Sequence, residues 1–111
     1  MVRINGNTIS MTRGDTLSAV VEIFQPNGDP YIPVEGDSIR FAVKLKGKRG
    51  NEQMLMHKEI PISTLLLVLE PEDTEHLAYG EYGYDIEITR ANGVVDTFIA
   101  EATLEIRWEA D

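Results

Sequence analysis

Few residues in this chain are of a type that does chemistry, and their spacing argues against a catalytic site. The histidines are His57 and His76, and cysteine is absent. Neither histidine stands at zinc-type spacing from a second histidine or a cysteine. His76 follows Glu72, Asp73 and Glu75; the group could be drawn as a metal or acid–base site, but it reads more simply as an exposed acidic turn. Ser10, Ser18, Ser38 and Ser63 lack the strand–turn–helix setting of a nucleophile elbow. The acidic loops, with Asp29, Glu35, Asp37 and the run 70–75, supply oxygens of the kind calcium takes, without the fixed spacing of an EF-hand. No glycine-rich phosphate loop leads into a helix. The expectation is a non-enzyme with no catalytic residue, cofactor or metal.

One short motif suggests binding instead. Arg13-Gly14-Asp15 is a tripeptide that many extracellular proteins use to hold integrins. Three-residue matches are weakly specific, and the chain carries its own control. Gly36-Asp37-Ser38-Ile39 repeats Gly14-Asp15-Thr16-Leu17 without the arginine. In both places the glycine leaves φ unrestricted, the aspartate can accept from nearby backbone amides, and Ser or Thr opens a strand. One turn device covers both stretches, and on that reading Arg13 is incidental.

Composition narrows the partners. The chain has 111 residues, the size of one domain spanning 1–111. Nineteen acidic against ten basic residues give a net charge of −9, which repels nucleic acid and anionic membrane. Lys44, Lys46, Lys48 and Arg49 form the one basic cluster; it has no interleaved aromatics to stack on bases and reads as a solvated hairpin tip. No apolar run has the length of a signal peptide or a membrane span. A soluble protein without its own export signal is expected.

Behind these residues lies period-two alternation. Leu17, Ala19, Val21 and Ile23 share one face of a run; Ile39, Phe41, Val43 and Leu45 share another, with Arg40 and Lys44 opposite. Tyr82, Tyr84, Ile86 and Ile88 alternate with Gly83, Asp85 and Glu87, and Phe98, Ala100, Ala102, Leu104, Ile106 and Trp108 fall together on one face. Shorter strands are expected at 3–4, 8–11, 54–58 and 65–69. Asn5-Gly6 and Asn92-Gly93 predict type I′ hairpin turns. Only "PEDTEHLAYG" carries helical signal, one turn near 71–78, because proline and acidic residues favour a first turn and Gly80 stops it.

About seven antiparallel strands with turns every 8–12 residues indicate an all-β, immunoglobulin-like β-sandwich. The stretch "TLLLVLEPEDTEHLAYGEYGYDI" resembles the crossing between strands E and F of such domains. Tyr82 then matches the corner tyrosine, its hydroxyl expected on backbone in the turn 72–77. Tyr84 stands where antibody domains carry a cysteine, and it would pack with an apolar partner such as Val21. Both tyrosines read as core structure.

The segments "RGDTLSAVVEIFQPNGDPYIPVEGDSIRFAVK", "KEIP" and "PEDTEHLAYGEYGYDIEITRANGVVDTFIA" resemble small tail- or baseplate-associated structural proteins of phages and prophages of Gram-positive bacteria, in particular the N-terminal domain of baseplate upper proteins. The shared features are the two Gly-Asp turns and Gly-x-Tyr-x-Tyr-Asp-Ile. The resemblance implies a structural role in the virion, or in the host cytoplasm before assembly, with other phage structural proteins and further copies of the chain as partners. A self-association surface is expected at Leu66 and Val68, because 65–69 is apolar on both faces and one face must be covered from outside. The alternative is a carbohydrate- or cell-surface-binding module. Tyr31, Tyr79 and Trp108 are the aromatics available for it, and their scatter along the sequence favours the structural reading.

Overall fold

A computed structural model describes residues 2–5, 7–24, 27–46 and 54–108, with side chains for 7–24, 27–46, 54–97 and 102–108. Eight strands and one helical turn follow in chain order: β1 Val2–Asn5, β2 Thr8–Thr12, β3 Leu17–Val20, β4 Ser38–Leu45, β5 Met54–Ile60, β6 Leu66–Leu69, α1 Pro71–Thr74, β7 Gly80–Thr89 and β8 Val95–Arg107. A six-stranded sheet, ordered β1-β2-β8-β7-β4-β5, faces a two-stranded sheet, β3-β6. This is an all-β sandwich. The pairing of β3 with β6 against β8, β7, β4 and β5 follows the immunoglobulin-like distribution of strands B and E against G, F, C and C′.

The alternation seen in sequence becomes the core except at two strand ends, where Leu45 and Trp108 are exposed. Ile39, Phe41 and Val43 of β4 are buried together with Tyr82, Tyr84, Ile86 and Ile88 of β7 and with Leu104 and Ile106 of β8. Leu17, Val21, Ile23, Leu67 and Leu69 close the other side. On the opposite face of β4, Arg40 pairs with its cross-strand partner Glu87 at 2.8 Å, and Lys44 reaches Asp85 at 3.1 Å. The Phe41 and Tyr84 rings sit 5.1 Å apart at the centre. Burying such a side chain contributes roughly 1.5–3 kcal/mol, so β4 and β7 set the frame on which the loops hang.

The structure departs from the sequence expectation at several points. The described residues form eight strands where about seven are expected, and these are not all antiparallel: β2 runs parallel to β8, with Ile9 opposite Leu104 and Met11 opposite Ile106. A period-two pattern marks which face of a strand is buried but carries no information on strand direction. The run 17–24 pairs only as far as Val20, because its partner β6 is four residues long. Leu65 enters β6 at φ 54, and its carbonyl accepts the Val21 amide at 2.7 Å, which closes the ladder. Val21 and Ile23 stay buried regardless. The helical turn covers 71–74 rather than 71–78. Asp73 Oδ2 accepts the Glu70 amide at 2.7 Å at its start, and the Leu77 amide returns to the Thr74 carbonyl at 2.9 Å just past its end.

The Asn92-Gly93 hairpin is also not type I′. Among the described non-glycine residues only Leu65 has positive φ, so Asn92 does not; Gly93 alone is left-handed, at φ 89. Its amide returns to the Arg90 carbonyl at 2.8 Å, and the Arg90 amide bonds the Val94 carbonyl at 2.7 Å. The result is a type I turn finished by a left-handed glycine. The first hairpin pairs Asn5 with Thr8, while Gly6 of its expected turn lies outside the described residues.

Candidate functional site

The two Gly-Asp turns sit at different places and do different work. Gly36, at φ 97, lets Asp37 turn inward between the loop 21–37 and the β7–β8 hairpin. Asp37 is only 9% exposed. Its Oδ2 accepts the Tyr31 hydroxyl at 2.6 Å and the Val34 amide at 3.0 Å, while Oδ1 accepts the Ala91 amide at 3.0 Å. The Tyr31 hydrogen bond, and then the Val34 amide, hold the Asp37 carboxyl below its ordinary range. The same bond raises the Tyr31 phenol. The Arg90 guanidinium lies 4.7 Å from the Tyr31 ring centroid and pairs with Asp96 at 2.8 Å. Tyr31 is therefore half-buried and engaged. Asp37 is a brace joining two loops at one end of the sandwich.

Gly14, at φ 88, serves the other end. The Asp15 amide closes a turn onto the Thr12 carbonyl at 3.1 Å, and the Gly14 amide donates to Thr74 Oγ1 at 3.3 Å. Thr74 is fully buried, so this bond locks the turn to α1. Arg13 is not incidental. Its amide bonds the Arg107 carbonyl at 3.1 Å, and its guanidinium lies 4.4 Å from the Tyr79 ring centroid. The arginine of the tripeptide is spent on an internal stack, not held out on a loop for an external receptor.

That stack continues outward. The Tyr79 and Trp108 rings lie 4.1 Å apart at 27°. Arg13, Tyr79 and Trp108 thus form one cluster, with the Tyr79 ring in contact with both the guanidinium and the indole. Trp108 is 64% exposed. Beside it runs an open groove whose lining includes Glu81, Glu105 and Arg107. Glu81 pairs with Lys46 at 3.1 Å, and Glu105 with Arg107. Residues 13, 79 and 108 thus converge although they are scattered in sequence. No spacing or motif links them: the antiparallel pairing of β7 with β8, with Gly80 opposite Ile106, sets Tyr79 beside Trp108, and the parallel approach of β2 to β8 adds Arg13.

The remaining candidates are placed as follows. Tyr82 Oη donates to the Ala78 carbonyl at 2.7 Å, one residue past the stretch 72–77. Tyr84 is buried, donates to the Asn7 carbonyl and packs on Phe41; burial pushes its phenol up. Val21 belongs to the same core. His57 is exposed on β5, and the His76 ring stands 3.5 Å from the Leu55 carbonyl. Among the described residues no three carboxylate or imidazole side chains converge on a point where a metal ion could sit. Lys48 and Arg49 of the basic cluster lie outside the described residues, and Lys44 and Lys46 are paired with carboxylates. No described helix is long and apolar enough to cross a membrane.

Leu66 and Val68 lie half-buried on the side of β6 opposite the core residues Leu67 and Leu69. Leu66 faces Val20 across the ladder, and Val20 is 67% exposed. Lys58, Glu59 and Pro61 line a groove with Leu66 and Val68 on the β5 side.

No protein-family model matches the chain, no curated protein matches its sequence, and no solved structure matches its fold at a significant level. None of these comparisons identifies a phage tail or baseplate protein.

Proposed function

We propose that this chain is a non-enzymatic assembly module that works through protein–protein contacts, as a structural component of a phage or prophage tail or baseplate. The observation that carries the contact reading is the outer side of the two-stranded sheet. Val20, Leu66 and Val68 form an apolar strip there, and the sheet has only two strands among the described residues, so each of them is an edge. Edge strands that lack charge or proline are templates for pairing with another chain. A second copy approaching about a two-fold axis would cover both the strip and an edge. The phage context rests on the sequence resemblance alone.

The test is size. Wild-type protein should elute as a defined oligomer in gel filtration with light scattering, and the double variant Leu66→Glu, Val68→Glu should elute as a smaller, folded species. A wild type that stays monomeric at high concentration removes self-assembly from the reading.

A further inference from the structure

One end of the sandwich carries a second surface that does not depend on assembly. We infer that the outer face of Trp108, backed by Tyr79 and Arg13, is a platform for an uncharged saccharide ring. Three features carry this.

The first is the layering. The Tyr79 ring lies 4.4 Å from the Arg13 guanidinium and 4.1 Å from the indole. An exposed tryptophan free to change rotamer loses that freedom when a ligand stacks on it. Stacking on Tyr79 restricts that freedom in advance. One indole face is covered by Tyr79, so the exposure of Trp108 belongs to the face away from Tyr79 and to the ring edges. Such a face is flat, apolar and slightly negative at its centre, which suits the C–H face of a pyranose.

The second feature is the rim. Glu81 is compensated by Lys46, and Glu105 by Arg107. Among the described residues of the groove each carboxylate is thus matched by a cation, and together they offer acceptors and donors. Sugar hydroxyls can give to one and take from the other. Among these described residues an ionic ligand finds no unmatched partner, and an anionic one is opposed by the chain's net charge of −9.

Shape is the third. The groove is open, with Gly80 and Ile106 also in its lining, and so admits the middle of an oligosaccharide chain. A polyproline segment would need a cleft between two or more free aromatic faces. Here Trp108 is the one exposed ring among the described groove residues, Tyr79 being half-buried.

Trp108 is the sole tryptophan, so its emission reports on this site alone. The probes are chitotetraose, maltotetraose, cellotetraose and galactotetraose, each titrated to about 10 mM, which reaches the weakest affinities of a single stacking site. At least one should change the emission saturably. Calorimetry with that sugar should show binding lost in Trp108→Ala and kept in Trp108→Phe. Arg13→Ala should weaken it about 2- to 5-fold, the effect of loosening a cation–π support. Leu66→Glu, Val68→Glu should bind as wild type does, which separates this site from the assembly surface. Circular dichroism confirms that each variant is folded. The inference is overturned if none of the four sugars gives a saturable change, if Trp108→Ala binds as well as wild type, or if only a proline-rich peptide titrates the emission.

Discussion

Tyr82 and Tyr84 are two positions apart, equally buried, and stabilise the fold in different ways. Tyr82 contributes one hydroxyl bond to the Ala78 carbonyl. Tyr82→Phe should therefore cost about 1 kcal/mol, the net value of one such bond. Tyr84 fills the centre against Phe41, and Tyr84→Ala should cost roughly 3–5 kcal/mol through the cavity it leaves. Urea melts of the two variants check the order, and equal small losses would contradict this placing of the pair. Asp37 adds a pH signature. Its folded carboxyl titrates below the ordinary 3.8 because Tyr31, Val34 and Ala91 donate to the charged form. As pH falls, the unfolded chain takes up that proton first. The stability due to Asp37 is thus whole above 3.8 and is lost as pH drops below it. Tyr31 behaves oppositely: its phenol is raised above 10.0, so its contribution is whole below that pH and fades as pH rises past it. Asp37→Asn should flatten the acid limb of a stability–pH curve and leave its neutral part lower, with Arg90 and Asp96 still paired nearby.

The two Gly-Asp turns look interchangeable in sequence, and their surroundings separate them. Both glycines have positive φ, so alanine at either position meets backbone strain of roughly 1–2 kcal/mol. A Cβ on Gly14 would touch nothing within 4 Å. A Cβ on Gly36 would stand 2.8 Å from the Ala91 side chain, closer than two carbons can pack. Gly36→Ala should therefore cost clearly more than Gly14→Ala in thermal melts, and Gly36→Ala with Ala91→Gly should recover part of the difference. Equal losses would mean that the loop 21–37 and the β7–β8 hairpin do not depend on this contact. Arg13 lies beside the Gly14 turn, and its removal should lower stability by about 0.5–1 kcal/mol, the worth of an exposed cation–π contact. A neutral Arg13→Ala would fit a stack that does not persist in solution.

Across the whole molecule, the first strands meet the last. β2 pairs with the outer edge of β8, and Met11 is fully buried there beside Ile106. Met11→Ala should cost roughly 2–5 kcal/mol, as expected for a buried large-to-small change, and denaturant melts measure it. Because this contact joins residues near both ends of the chain, its entropy of closure enters the folding barrier. The arrangement also separates the molecule into two ends. One end joins the loop 21–37 to the β7–β8 hairpin through Asp37, and exposes Ile32, Val34, Val94 and Val95. The other holds the Arg13–Tyr79–Trp108 stack, and the apolar strip of β3 and β6 lies on the sandwich wall. A module with several separate surfaces suits a role in joining partners.

The layers of this protein were legible in its sequence because burial has a period that matches the backbone. Alternation at 39–45 and 82–88 marked the core strands, since a strand turns every second side chain to the same side. Turn residues marked where the chain reverses, and the tyrosine spacing marked the E–F corner, because these depend on neighbours in sequence. Three things depended on distant neighbours and left no local trace. The parallel pairing of β2 with β8 needs an open edge on a strand some ninety residues later. The length of β3 is limited by its partner β6, not by its own alternation. The arrival of Arg13 at the Tyr79–Trp108 pair follows from that same β2–β8 pairing, the pair itself being set by the β7–β8 register. A stack of side chains from three separate segments is encoded in the packing of the strands that carry them, which is why scattered aromatics became one surface only in the folded chain.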